Sequence, residues 1–214
     1  MLGQCEVVDL KRGEILYQPD ARIRHVYFPS DSFISLMMPV DGTGNLEVAL
    51  IGNEGMLGSP LALGVNVSPL RALVHGTGLA WRMSAVVFGR ELGRSAALRR
   101  GLHRYLQVRI CQLAQAVACT RFHLVEQRLA RCLLMTQDRA HSDEFHATHE
   151  VLASMLGVRR VGVTKAANAL QTRKLIHYHR GQISILDRAG MEAAACGCYQ
   201  ADRDTYAALL VASG

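Results

Sequence analysis

The sequence predicts an α+β chain: an N-terminal antiparallel β-roll of jelly-roll type, a long central helix, and a C-terminal helical unit closed by a β-hairpin. Three observations carry this. Short apolar runs recur between Gly, Pro, Asn and Asp turns up to about residue 90. From Ser95 the apolar spacing becomes that of a helix. Basic residues gather in the second half, where residues 97–214 carry 16 Lys/Arg against 9 Asp/Glu (net +7), whereas residues 1–96 carry 8 against 9 (net −1), together the +6 of the chain. The expected division is therefore a roll over 1–94, a helix suited to dimerisation over 95–121, and a third unit with a helical tail over 122–214.

Composition narrows the class. A chain of 214 residues, half of them hydrophobic and a fifth charged, has enough apolar material for two modest cores. Asp9, Lys11 and Arg12 interrupt the start before a secretory apolar region develops. No apolar run approaches the roughly 20 residues of a membrane span, so a cytoplasmic location without membrane contact is expected. Six cysteines are scattered at Cys5, Cys111, Cys119, Cys132, Cys196 and Cys198 without a C-x-x-C pair. Reduced, mostly buried thiols and no metal site are the expectation, with the role of Cys196 and Cys198 left unassigned.

In the roll, residues 14–17 precede Pro19 and Asp20, 25–28 precede Pro29, and 33–38 stop at Pro39. Asp41-Gly42-Thr43-Gly44 turns the chain into 46–51, and His75-Gly76-Thr77-Gly78 separates 70–74 from 79–83. No helical period is visible before Ser95. After it, Leu98, Leu102, Leu106, Leu113 and Val117 recur at helical spacings and form a stripe that suits pairing with a second copy. Residues 123–137 supply another amphipathic helix, and the polar stretch 138–147 reads as a loop or short hairpin.

The segment 148–186 carries the functional signal. Thr148 is placed to cap a helix that ends at Gly157, and a second helix follows over 159–172. Leu152, Met155, Val158, Val163, Ala167 and Leu170 can lock the two together, leaving Arg159, Arg160, Val161, Thr164 and Lys165 outward at the start of the second. Residues 175–186 read as a hairpin turning at Arg180-Gly181. Within 148–188 there are 7 basic residues and 2 acidic ones. This is a winged helix-turn-helix, whose second helix enters a major groove. An arginine fork meets guanine O6 and N7 together, and Arg180 on the wing is placed for phosphate.

The runs Glu126-Gln127-Arg128-Leu129-Ala130-Arg131 and Leu152 to Val158, then Leu175-Ile176 and the hairpin, resemble the CRP/FNR family. The resemblance implies a dimeric, sequence-specific transcription regulator that binds double-stranded DNA at a palindromic operator, meeting RNA polymerase if it activates. It places a base-reading arginine at Arg160 and a second basic residue at Lys165. Where the family often has a cytosine-reading glutamate, Val161 stands, which suits a thymine methyl instead. Thr148 and His149 fall near phosphate or serve as cap and surface.

The resemblance also implies an effector at the roll. Gly58, Ser59, Ser68 and Arg71 occupy the region of the family's phosphate cassette, but Ser59 stands for the ribose-binding Glu and Val67 for the phosphate-binding Arg. Leu113 and Ala114 take the places of the polar pair that meets adenine. Cyclic AMP is therefore not expected, and the effector stays unidentified, with no cofactor assigned. Two other classes compete less well. A cupin-like metal enzyme is disfavoured because His25 and His75 lie fifty residues apart, and no nucleophile or phosphate-loop motif is present. A sensor module acting on a protein partner is disfavoured by the basic second helix. His146-x-x-His149 and His177-x-His179 lack a third ligand. The activity expected is regulatory, not enzymatic.

Overall fold

The computed structural model describes residues 2–41 and 44–211; Gly42 and Thr43, in the expected turn, lie outside the described residues. The strands of the N-terminal half are β1 (Glu6–Leu10), β2 (Ile15–Tyr17), β3 (Ala21–Arg22), β4 (His25–Pro29), β5 (Phe33–Val40), β6 (Gly44–Ile51), β7 (Val67–Ser68), β8 (Arg71–Gly76) and β9 (Gly78–Ser84). All pairings are antiparallel, in sheets of order β1-β9-β4 and β2-β8-β5-β6, with β3 and β7 as a short pair. Leu10, Tyr17, Tyr27, Ile34, Ile51, Val74 and Ala80 from both sheets meet in one core. The α+β class and the antiparallel roll agree with the sequence reading.

Three local differences have physical causes. Pro39 does not end β5, which continues to Val40. Beyond Met37 the strand pairs only with β6, so its other side needs no N–H and tolerates proline. The strand β1 is hidden in the sequence because Glu6 and Asp9 interrupt its apolar alternation at an edge of the sheet. Residues expected to be non-helical form α1 (Ala85–Arg94), capped by Ser84, whose Oγ accepts from Val87 N at 3.3 Å. Its β-branched Val86 and Val87 and its two glycines lower its helix propensity, and its apolar face is short, with Phe88 fully buried and Val87 and Leu92 packed beside it.

Ser95 caps the 27-residue α2 (Ala96–Phe122), whose first half lies on the roll: Leu102, Tyr105 and Phe88 share a core with Val26, Met56 and Met83. There follow α3 (Val125–Ala140), β10 (Glu144–His146), α4 (His149–Leu156), α5 (Arg160–Thr172), β11 (Ile176–His179), β12 (Gln182–Ile185), α6 (Arg188–Ala194) and α7 (Cys198–Tyr206), then a π-helical turn, Ala207–Val211. The polar stretch after α3 is thus no simple loop, since β10 pairs with β12 and makes the hairpin a three-stranded sheet.

A second core joins Leu129, Leu133 and Leu134 of α3 to Leu152, Val163, Leu170, Ile176, Ile183 and Met191. Each such side chain contributes about 1.5–3 kcal/mol by leaving water. The two halves also touch. Ser154 Oγ donates to the Asn45 carbonyl, Arg139 pairs with Glu54 at 2.7 Å, and Arg12 Nη2 donates to His146 Nδ1 at 2.7 Å. No helix among the described residues is long and apolar enough to cross a membrane.

Candidate nucleic-acid interface

The interface is built outward from the second core. Thr148 caps α4, its Oγ1 accepting from Val151 N at 3.3 Å. Gly157 ends that helix at φ 61, and a Cβ there would also crowd Leu46 of β6, so glycine is required twice over. Arg128 of α3, itself buried, donates through Nη2 to the Leu156 carbonyl, placing a cation where the helix dipole is negative.

In α5 the residues Val163, Ala166, Ala167 and Leu170 face the core. That leaves Arg160, Val161, Lys165 and Asn168 exposed on the opposite side, with Thr164 at the edge. Arg159 is the cap residue, yet its side chain makes no capping hydrogen bond. Val161 is 60% exposed, so its methyl groups are open to contact from outside the chain. Across from this helix, the hairpin turns through Arg180 at φ 48 and Gly181 at φ 86, both left-handed as a two-residue turn demands. Gly181 is buried against His146 and gives its carbonyl to Ala147 N at 2.8 Å. Arg180 is exposed at the tip. Arg159, Arg160, Lys165 and Arg180 form no ion pair among the described residues, whereas Arg173, at the far end of α5, pairs with Glu126 at 3.0 Å.

His149 occupies a different position from the exposed arginines. Its ring stacks on Tyr178 of β11 with centroids 4.3 Å apart, and Nδ1 lies 3.0 Å from Thr164 Oγ1. The Thr164 hydroxyl donates to the Arg160 carbonyl at 3.1 Å, so the assigned tautomer has Nδ1–H donating to Thr164. Burial, and then the Arg160 charge, hold the imidazole below its ordinary pKa. His149 therefore ties α4, α5 and the wing together. Sequence reasoning missed Tyr178; an aromatic two residues before the hairpin turn was the available signal.

The remaining predicted groups separate. Leu98 and Leu102 pack with the roll, while Leu113 and Val117 are exposed and Leu106 is half-buried, so the stripe does not lie on one surface. Gly58, at φ 98, and Ser59 begin a short 3-10 turn packed near Val26 and Tyr17. Ser68 is buried and bonded to its neighbour Leu70, and Arg71 is half-buried. The roll's own cleft, about 320 Å³, is walled by Tyr17, Gln18, Arg22, Arg24, His25 and Tyr27, and by none of those four. A larger, mainly apolar cleft of about 510 Å³ lies between β6, α2, α3 and α4. His146 and His149 face different partners. Among the described residues, the group able to surround a metal ion is Cys119, His123, Cys196 and Cys198.

Residues 127–194 match the sequence profile of the Crp-like helix-turn-helix domain. In fold the chain is similar to FixK2 from Bradyrhizobium japonicum, with a TM-score of 0.74 at 15% identity over 90% of this chain and 98% of that one. It is similar too to a CRP/FNR-family transcriptional regulator from Thermus thermophilus (TM-score 0.69, 20% identity, 89% and 98% covered). A third similar structure is the c-di-GMP-responsive global regulator CLP from Xanthomonas campestris (TM-score 0.68, 13% identity, 87% and 96% covered). No curated protein matches the chain in sequence.

Proposed function

We propose, from the match of residues 127–194 to the Crp-like helix-turn-helix domain and the likeness in fold to CRP/FNR regulators, that the chain is a cytoplasmic, dimeric transcription regulator that reads a palindromic operator. The observation that supports it is the unpaired basic surface of α5 and the wing, with Arg159, Arg160, Lys165 and Arg180 exposed around Val161.

In this reading the start of α5 lies in the major groove. Arg160 meets guanine O6 and N7, Val161 meets a thymine methyl, and Lys165 and Thr164 flank them. Arg159 at the cap and Arg180 on the wing meet phosphates, where they set register without reading sequence. Thr148 and His149 position these groups from behind. The second copy pairs along the outer face of α2, which sets two half-sites about one helical turn apart. The roll carries a signal other than cyclic AMP, because Val67 lacks the charge that meets the phosphate, Leu113 and Ala114 cannot hydrogen-bond the adenine, and Ser59 stands where the ribose-binding Glu is expected.

Selection of bound DNA from a random pool, followed by salt-titrated affinity, tests the reading. A palindromic consensus with steep salt dependence is expected. Arg160→Ala is expected to lose about 1–3 kcal/mol and to relax one operator position. Unchanged affinity and selectivity in that variant would remove Arg160 from the interface.

A further inference from the structure

The thiols that look scattered in the sequence converge in space. Cys119 lies in the last turn of α2, and His123, four residues on, is the capping residue at its end. The two therefore share one helical face. Opposite them, Cys196 in the turn after α6 and Cys198 at the first position of α7 flank Gly197. Three Sγ atoms and one imidazole nitrogen all lie within 4.8 Å of one another. Cys119 Sγ is 3.5 Å from Cys196 Sγ, and His123 Nδ1 is 3.5 Å from Cys198 Sγ. The three cysteines are buried and the histidine half-buried.

We propose that Cys119, His123, Cys196 and Cys198 bind one divalent cation of the zinc class in a tetrahedral site that fastens the end of α2 to the C-terminal helices. The donor set is the one zinc takes in closed structural sites, and it offers four ligands. Zinc–sulfur bonds of about 2.3 Å and zinc–nitrogen bonds of about 2.0 Å set tetrahedral edges of about 3.5–3.8 Å. The closest pairs here already have that spacing. An iron–sulfur cluster holds its thiolates around several metal atoms and needs them farther apart. A disulfide would require a sulfur–sulfur distance of about 2.05 Å and would leave the other two ligands without a role.

The surroundings suit a metal thiolate. The His123 backbone N–H bonds to the Cys119 carbonyl at 3.1 Å, and Tyr199 N to the Cys196 carbonyl at 3.1 Å, so both ligand pairs sit on fixed backbone. Gln115 Nε2 donates to Cys198 Sγ at 2.9 Å. Three thiolates around a divalent cation leave one net negative charge. The Arg131 guanidinium lies within hydrogen-bond reach of Cys119, its charge shared with Asp202 at 2.5 Å. On binding, each thiol gives its proton to solvent and its lone pair to the metal. The site closes over the junction where α2 gives way to α3, so occupancy would fix the angle between the long helix and the DNA-reading unit.

Elemental analysis of the full-length protein, purified under reducing conditions, is expected to show about one zinc per chain. Zinc is expected to leave in step with thiol modification. Cys119→Ser with Cys196→Ser is expected to abolish it. Should that variant misfold, the wild-type apo chain titrated with Co²⁺ keeps the test open. An intense tetrahedral thiolate spectrum with an endpoint near one equivalent is expected, and His123→Cys is expected to bind with a shifted charge-transfer band. Zinc at background level together with no tetrahedral Co²⁺ spectrum would overturn the proposal, as would a Cys119–Cys196 disulfide found by peptide mapping of freshly isolated protein. None of these readouts depends on DNA binding.

Discussion

The two halves of α2 carry the same kinds of residue and use them in opposite ways. In the first half, Leu102, Tyr105 and Val108 are at most 7% exposed, and Leu102 and Tyr105 are closed against the roll and α1. In the second half, Ile110 is 60% exposed, Leu113 44% and Val117 73%, with Leu124 beyond the helix end at 74%. With half-buried Leu106, the outward residues of the helix repeat at spacings of four, three and four, the pattern of a helix seam. The inward set runs through Leu98, Leu102, Tyr105 and Val108 on another face. An apolar stripe in a sequence thus reveals a helix without revealing what covers it. Leu98 and Leu102 answer to the chain's own fold, whereas Leu113 and Val117 stay exposed in the single chain and are the residues the proposed dimer would cover.

The sharpest way to break this contrast is Leu113→Asp with Val117→Asp. Both sites are exposed within one chain, so the fold should survive with an unchanged circular dichroism spectrum. Carboxylates facing each other across an apolar seam should prevent pairing. Sedimentation should then report monomers, and operator affinity should fall by at least about a hundredfold, as one half-site is held alone. An intact dimer would move the interface elsewhere. The reciprocal change, Leu102→Ala, leaves the seam untouched and opens a cavity under the roll. Thermal or denaturant unfolding should show a loss of about 2–5 kcal/mol, with the folded protein dimerising as before. A stability loss below about 1 kcal/mol would mean that the first half of α2 is not locked to the roll.

A smaller effect separates framework from contact within the DNA-reading unit. His149 stacks on Tyr178 and bonds to Thr164, so His149→Ala should cost about 1 kcal/mol. Hydrogen exchange should show faster opening of β11 and β12. The salt slope of DNA binding should stay the same. A slope reduced by about one would make His149 a phosphate contact after all.

What could be read in advance follows from how local each signal is. Thr148, Gly157 and the Arg180-Gly181 turn announce α4, its end and the wing because caps and tight turns depend on a few adjacent residues. The outward placement of Arg160 and Lys165 followed from helical spacing. The helix α1 was hidden because Val86, Val87, Gly89 and Gly93 weaken its propensity and its apolar face, Val87, Phe88 and Leu92, spans under two turns. Pro39 misled because its tolerance depends on which neighbour strand ends first. The cysteine cluster was out of reach for a different reason. Cys119 and Cys196 are 77 positions apart, and only the packing of α7 on α2 brings them together. The four-residue step from Cys119 to His123 and the Cys196-x-Cys198 spacing were the visible halves of it.

The roll side of the contrast can be sharpened by pH. Glu47 of β6 lies in the cleft beside α2 and α3, and Ser35 Oγ donates to it at 2.5 Å. Burial pushes its carboxyl up to about 7, against the opposing effects of Ser35, Arg139 and Arg109. The folded protein therefore holds a proton that the unfolded chain releases near pH 4.5, so stability from this group is present at low pH and lost as pH rises from about 4.5 to 7. His75, pressed down to about 4 by burial and then by Arg12 and His146, acts oppositely over a similar range, favouring the fold more as pH rises. Comparing wild type with Glu47→Gln removes the Glu47 titration; Ser35 Oγ also lies 3.3 Å from His75 Nδ1, so the difference reads Glu47 together with its Ser35 link to His75. Between pH 4.5 and 7 the wild type should lose stability relative to the variant, by less than the Leu102→Ala loss. Parallel pH profiles would place the Glu47 carboxylate in water, and with it the wall of the cleft between the roll and α2.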